Sequence, residues 1–176
     1  ISIGMSVQER FNGIFDGNGH TIKNLFVKLG WSSAPFGQNG GLFGSLGYDA
    51  QIKNLTLEAP HVESENWLTG TIAGSSLGVI ENCNAKNINV KSDKRTHVGG
   101  IVGSALQLND CSVLGGTIYS ESYYIGGAAG DVHDRCNNIV VEGLSINQHL
   151  ITIQEPDGKP LGGIVGSSSC DIRNCH

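Results

Sequence analysis

The densest cluster of residues able to do acid–base chemistry is Asp131, His133 and Asp134. A glycosidase or lyase needs two positioned carboxylates, or a base assisted by cationic side chains. Lys and Arg are scattered singly along this chain, which argues against the second arrangement. Asp131 directly follows a glycine-framed segment where similar segments have serine, and both residue types hydrogen-bond the local backbone in turns. We therefore predict that this cluster is structural and that the chain is not an enzyme.

The five cysteines could also do chemistry. Two groupings could suggest a metal ion: His133 with Cys136, and Cys170 with Cys175 and His176. Neither has the paired spacing of a zinc ribbon or finger, and the phosphate-loop pattern Gly-x4-Gly-Lys-Ser/Thr is absent. We predict no metal and no cofactor. The odd count favours free thiols, and the bridge that stays open is Cys170 with Cys175 or with Cys136.

Aromatic residues in the irregular parts of the chain are candidates for ligand binding, because binding residues concentrate on connecting segments. The predicted ligand-binding residues are Trp31, Trp67, Tyr119, Tyr123 and Tyr124. Phe36 lies in the same irregular span as Trp31, and a further insertion lies within His149 to Lys159.

Charge and hydropathy narrow the choice of partners. The 176 residues have 11 Lys and Arg against 16 Asp and Glu, a net charge of −5, with no basic cluster. Nucleic-acid binding needs concentrated positive charge, so we predict that nucleic acid is not a partner. No apolar run approaches roughly 18 residues, so the chain is not expected to span a membrane.

A glycine-framed segment of five residues recurs along the chain, and internal repeats decide the architecture. Its last glycines are spaced by 30, 29, 27 and 36 residues. The five copies are Gly40–Gly44, Gly70–Gly74, Gly99–Gly103, Gly126–Gly130 and Gly162–Gly166.

A second motif, such as Ile52-Lys53-Asn54-Leu55 or Ile80-Glu81-Asn82-Cys83, keeps phase with the first. It predicts one row of small apolar side chains in the core, and an asparagine ladder beside it. The apolar row is predicted to contain Leu25, Leu55, Cys83, Cys111, Cys136 and Cys175. The asparagine ladder is predicted to contain Asn24, Asn54, Asn82 and Asn174.

Short β-branched segments and the lack of any helical periodicity predict an all-β fold. Units of about 28 residues cannot bury their own apolar faces, but stacked units can. We predict a single domain over residues 1–176, a right-handed parallel β-solenoid of five to six coils. Residues 1–25 form its opening segment and residues 26–176 its coils. The start at Ile1 predicts a piece of a larger protein, and the uncapped last coil predicts end-to-end self-association.

Residues 11–25 resemble the opening segment of bacterial surface proteins with GLUG-type repeats. Gly100-Ile101-Val102-Gly103 and Gly163-Ile164-Val165-Gly166 look like the GLUG motif itself. Such repeats occur in non-catalytic regions of immunoglobulin-A1-specific metalloproteases and in adhesin-like proteins. The turn Asp16–His20 also looks like one in right-handed β-helix pectate lyases and polygalacturonases, and brings no catalytic residue with it.

The resemblance and the repeats together favour a non-catalytic extracellular or cell-surface module for adhesion, ligand binding or spacing. Its expected partner is a host glycan or a host protein. One alternative is a β-helix carbohydrate-active enzyme, a lyase or glycosidase, that uses Asp131, His133 and Asp134. Another is an accessory region of a secreted metalloprotease.

Overall fold

A computed structural model describes residues 2–31, 38–93, 97–121, 123–148 and 161–176. Within these ranges the regular structure is β-strand throughout. The strands are β1 (Ile14–Asp16), β2 (Thr21–Lys23), β3 (Phe26–Leu29), β4 (Phe43–Leu46), β5 (Gln51–Lys53), β6 (Thr56–Glu58), β7 (His61–Ser64), β8 (Leu68–Thr69), β9 (Ala73–Glu81), β10 (Asn84–Ser92), β11 (His97–Gly99), β12 (Val102–Ser120), β13 (Tyr124–Gly126), β14 (Ala129–Gln148), β15 (Leu161–Gly162), β16 (Val165–Ser168) and β17 (Ile172–Arg173).

The described strands pair in parallel and form a solenoid, as the repeats predict. One wall follows β1, β5, β9, β12, β14 and β17, so that Ile52 lies beside Ile80, Ile80 beside Leu108 and Leu108 beside Cys136. About four turns are spaced by roughly 28 residues, against the five to six coils predicted. The step is longer at both ends of this wall, between β1 and β5 and between β14 and β17, where extra residues enter the coil.

The core is a continuous column of apolar side chains that runs through the stacked coils. Each wall contributes one row: Leu57, Ala85 and Val113 form one, and neighbouring walls add others. β10 shows the alternation that produces this, since Ala85, Ile88, Val90 and Ser92 are buried and most residues between them are exposed. Outward rows place opposite charges on adjacent coils, as in the ion pair of Lys28 Nζ with Glu63 Oε2 at 2.7 Å.

Two columns of left-handed residues make the corners on either side of β6. The first contains Asn54, Asn82, Asp110, Asn138 and Asn174, with φ between 49° and 54°. Side-chain amides link its coils: Asn82 Nδ2 donates to Asn54 Oδ1 at 2.7 Å, and Asn138 Nδ2 donates to Asp110 Oδ1 at 2.8 Å. The predicted ladder is confirmed for Asn54 and Asn82.

The second corner column contains Asn24, Ala59, Asn87, Gly115 and Gly143, all with positive φ. Placing Asn24 in the first ladder was therefore wrong. Ile22 pairs with Leu57 rather than with Ile52, because Phe15 occupies the position beside Ile52 in the first coil. The turn at 17–20 between β1 and β2 has two more residues than the corner between β5 and β6.

The predicted row of small apolar residues also needs correction at two positions. Leu55, Cys83 and Cys111 do stack, but the next member is Ile139, and Cys136 lies in the wall beside Leu108 and Ile172. Leu25 belongs beside Pro60, since the amide of His61 bonds the carbonyl of Leu25. Cys175 is in the row as predicted, because the amide of His176 bonds Ile139 O at 3.0 Å.

The glycine-framed segments are places where two walls approach too closely for a side chain. A Cβ on Gly103 would lie 2.6 Å from the backbone oxygen of Gly74 and 2.6 Å from the backbone nitrogen of Thr69. This contact joins the sheet formed by β8, β11, β13 and β15 to the main sheet of thirteen strands. In the part of the chain that the structure describes, no helix is long and apolar enough to cross a membrane.

The second corner column generates a stability prediction at Ala59. Ala59 has φ of 51° and is exposed, whereas the other members of the column are Asn or Gly, which adopt left-handed backbone more easily. We expect Ala59→Asn to raise the free energy of unfolding by about 0.5–1 kcal/mol, measured by urea denaturation. Asn87→Ala, one coil further along the same column, is the matched control and should lower it by a similar amount. Stabilisation by neither Asn nor Gly at position 59 would contradict the assigned backbone conformation.

Candidate functional site

The predicted acid–base cluster lies on the wall that follows the fourth glycine-framed segment. Asp131 pairs with Ser104 on one side and with Ser167 on the other, which continues the row of Ser45 and Ser75. The predicted row is therefore confirmed, although these residues lie within strands rather than in a turn. Asp131 is the carboxylate of an otherwise serine row, and its side chain is 11 % exposed.

Two histidines compensate the buried carboxylate. His133 Nε2 lies 2.9 Å from Asp131 Oδ2, and His97 Nε2 lies 3.9 Å from the same oxygen. His97 comes from β11, in the second sheet, and its ring stacks on that of Tyr124 with centroids 4.5 Å apart and planes inclined by 6°. The cluster thus joins two neighbouring coils and both sheets.

His97 is held in its neutral form by its surroundings. Burial lowers its pKa, the nearby Asp131 carboxylate opposes that change, and the proximity of His133 adds to it. Its Nδ1 atom is buried and has no hydrogen-bond partner. Protonation of His97 would therefore place a charge where one ring nitrogen has no acceptor.

His133 extends the network to the next coil. Its Nδ1 lies 3.3 Å from Ser169 Oγ, and the Ser169 hydroxyl also lies 3.2 Å from the carbonyl oxygen of His133. An imidazole between a carboxylate and a hydroxyl can relay a proton, so the line from Asp131 through His133 to Ser169 has the elements of acid–base chemistry.

This line borders an open cleft of about 670 Å³ between the last two described coils. Two arginines, Arg135 and Arg173, line the cleft, so the fold brings together cationic side chains that are separate in the sequence. The lining residues are His133, Asp134, Arg135, Cys136, Asn137, Ser169, Cys170, Asp171 and Arg173.

The two carboxylates of the predicted cluster have different partners. Asp134 accepts a hydrogen bond of 2.7 Å from Gln107 Nε2 of the preceding coil, whereas Asp131 is held by the two histidines. Asp171 in the same cleft pairs with Arg173 at 2.9 Å. The cleft therefore has mixed charge, with most of its acids already paired.

The predicted ligand-binding aromatics fall in separate places. Trp67 and Tyr123 directly precede β8 and β13, and the register of these strands with β11 puts them at equivalent positions two coils apart. Tyr124 lies beside them in the stack with His97. Tyr119 stands on a different wall, between Lys91 and Asn147, and Trp31 follows β3.

Exposure differs among these rings. Trp67 is 58 % exposed, Trp31 51 % and Tyr119 38 %, while Tyr123 and Tyr124 are half-buried. Trp67, Tyr123 and Tyr124 therefore form one edge, which we call the aromatic edge. Phe36 and the insertion at His149 to Lys159 lie outside the described residues.

Sequence reasoning missed His97, Ser169 and the two cleft arginines. The signal for His97 was present, since His97-Val98-Gly99 and Tyr124-Ile125-Gly126 align when the glycine-framed segments are superposed. Among the described residues, no group of three His, Cys, Asp or Glu side chains is arranged to hold a metal ion.

Comparisons with known proteins give two partial relatives. The chain is 36 % identical over 101 residues to Halomucin of Haloquadratum walsbyi, covering 57 % of this chain and 1 % of that protein. It is 35 % identical over 75 residues to a putative Gly-rich membrane protein of Evansella cellulosilytica, covering 42 % of this chain and 8 % of that protein. The chain thus spans a small fraction of either relative. No protein-family model and no solved structure matches it.

The neutral state of His97 generates a prediction for pH dependence. Because its pKa is lowered in the folded chain, the unfolded chain binds a proton more readily, and stability falls as pH drops through about 6.5. We expect His97→Gln to lose less stability between pH 7.5 and pH 5.5 than the unaltered chain, measured by urea denaturation. Asp131 and His133, which face His97, are present in both proteins. His20→Gln, at an exposed histidine, is the control. An unchanged pH dependence in His97→Gln would refute this assignment.

Proposed function

We propose that this chain is a non-catalytic repeat module of an extracellular or cell-surface protein, and that it binds a ligand along its aromatic edge. The observation that carries the proposal is the exposure of Trp67 at 58 %, on the same edge of the solenoid as Tyr123 and Tyr124 two coils further on. Large exposed aromatic rings are typical of binding surfaces, since their faces offer apolar area on a rigid side chain.

The partial relatives support a module within a longer chain. A match over 57 % of this chain that covers only 1 % of Halomucin is what a short segment within a very long protein produces. The name of the second relative, a Gly-rich membrane protein, favours a location at the cell envelope.

The proposal includes three further features that the sequence predicts. They are right-handed winding, membership of the GLUG-repeat surface proteins, and a count of five to six coils when the two longer steps at the ends of the wall are included. Right-handed winding is the preferred sense for parallel strands joined by crossovers. This module is compatible with being an accessory region of a secreted metalloprotease, because that alternative concerns the longer protein that contains the module and not the structure of its coils.

A host glycan or a host protein is the ligand class that best fits the aromatic edge. Equivalent positions on adjacent coils are about 5 Å apart, so Trp67 and Tyr123 are separated by about 10 Å along the axis. An extended partner lying along the axis could contact both rings. The net charge of −5 disfavours a polyanion such as nucleic acid.

A binding screen on a glycan array and a panel of host surface proteins tests the proposal. We expect saturable binding that Trp67→Ala weakens by about tenfold or more, because buried aromatic contacts dominate such interfaces. Tyr48→Ala is the matched control, since Tyr48 is 73 % exposed and lies away from the edge in the turn after β4. Binding that is absent, or equally weakened by both variants, would contradict a ligand-binding aromatic edge.

A second candidate function, a lyase or glycosidase using Asp131, His133 and Asp134, is favoured by one observation. The line from Asp131 through His133 to Ser169 borders a cleft with two arginines. Incubation with polygalacturonate and similar polymers tests it by release of reducing ends or unsaturated products. We expect no turnover. Turnover that Asp131→Asn and His133→Gln each abolish, with Tyr48→Ala unaffected, would establish the enzyme instead.

A further inference from the structure

The five cysteines divide into two sets with different geometry. Cys83 and Cys111 stack directly on adjacent coils and are fully buried, while Cys136, Cys170 and Cys175 gather around the last two described coils. All five are thiols in this structure.

Cys136 and Cys175 come from different walls. Cys136 lies in the row with Leu108 and is fully buried. Cys175 follows the corner residue Asn174, beside Ile139, and is partly exposed while packing against the same core. The register therefore places the two residues on either side of one corner, on adjacent coils, and both pack against the same core.

The titration of Cys136 supports this proximity. Burial raises the pKa of Cys136 to about 12, and the neighbouring Cys175 thiol is the next cause, ahead of Cys170. Cys170 instead has its sulfur 3.3 Å from Ser168 Oγ at the wall of the cleft.

The stacked pair has poor geometry for a bridge. Cys83 and Cys111 occupy the same position, directly after the left-handed corner residue, on adjacent coils. Their Cα–Cβ bonds therefore run side by side, and disulfides do not form readily between parallel vectors. Both residues are also shielded from any reagent by complete burial.

We propose that Cys136 and Cys175 are a site of reversible disulfide formation, which fastens the last described coil to the coil before it, with a small-molecule disulfide as oxidant. The Cys175 thiolate attacks one sulfur of the oxidant, forms a mixed disulfide and releases one small thiolate. The Cys136 thiolate then attacks the Cys175 sulfur and releases the second. Two protein thiols are oxidised, one small disulfide is reduced to two thiols, and the two protons go to the leaving thiolates.

The second step needs the Cys136 thiolate, and the raised pKa of Cys136, about 12, keeps the fraction of that thiolate small at neutral pH. Raising the pH increases the thiolate fraction of Cys136 and accelerates closure.

Oxidation of the full 176-residue chain with glutathione disulfide tests this proposal. After quenching and alkylation, peptide mapping by mass spectrometry should find a bridge between Cys136 and Cys175, forming faster at pH 9 than at pH 7. Cys83 and Cys111 should remain alkylatable after denaturation. The urea midpoint should rise on oxidation and return to its starting value on reduction.

Two variants distinguish which cysteines form the disulfide. Cys175→Ser should abolish the bridge and the shift in urea midpoint, while Cys170→Ser should retain both. A bridge that includes Cys170, a bridge between Cys83 and Cys111, or a glutathione adduct on Cys175 that never closes at pH 9 would each overturn the proposal.

Discussion

Parallel stacking with a nearly constant step is the constraint on which the rest of this molecule depends. Ile52, Ile80 and Leu108 lie beside one another because each coil returns to the same wall after roughly 28 residues. Every side chain therefore has, as its nearest neighbours, the residues at the same position in the adjacent coils, about 5 Å away. A residue type is acceptable only if it packs or bonds well with its own row. Extra residues are tolerated between one strand and the next, since the strands on either side of the insertion stay in register with those of the adjacent coil.

Rows of like residues follow from this constraint. An asparagine can donate to the asparagine of one coil and accept from that of the next, so the ladder at Asn54 and Asn82 satisfies the side chains and supports the left-handed corner together. A row of thiols or small apolar residues packs in the core without needing strong hydrogen-bond partners, as at Cys83 and Cys111. A row of buried carboxylates would repel itself. The serine row accordingly contains one acid, Asp131, and two histidines lie near it: His133 of the same strand and His97 of the second sheet.

Much of this organisation could be predicted from the sequence, because the repeat appears in the residues themselves. The all-β class, the parallel stack and the serine row at Asp131 follow from the spacing of the glycine-framed segments. The register of the first coil did not follow. Ile22-Lys23-Asn24-Leu25 and Ile52-Lys53-Asn54-Leu55 look alike, since both corners of β6 need the same left-handed residue. Only backbone hydrogen bonding distinguishes the two corners, and it assigns Ile22 to Leu57.

The candidate sites were harder to predict, because the regular members of a row do not indicate at which coil a different residue type will occur. Cys136 was placed by a weakened motif, and its true neighbours, Leu108 and Ile172, became clear only from strand pairing. His97 belongs to the second sheet, so its approach to Asp131 depends on how the glycine contacts at Gly103 and Gly130 bring the two sheets together.

Residues that differ from the rest of their row are informative, because the stacking of the coils does not explain them. A buried position is constrained by two neighbouring coils, and the buried acid Asp131 has a histidine of its own strand and a histidine of the second sheet beside it. An outward position such as Trp67 has no such requirement, and its exposed ring adds nothing to the packing of the core. In a solenoid of this kind, candidate functional residues are therefore those that differ from the other members of their row, and exposed aromatic residues that the core does not require.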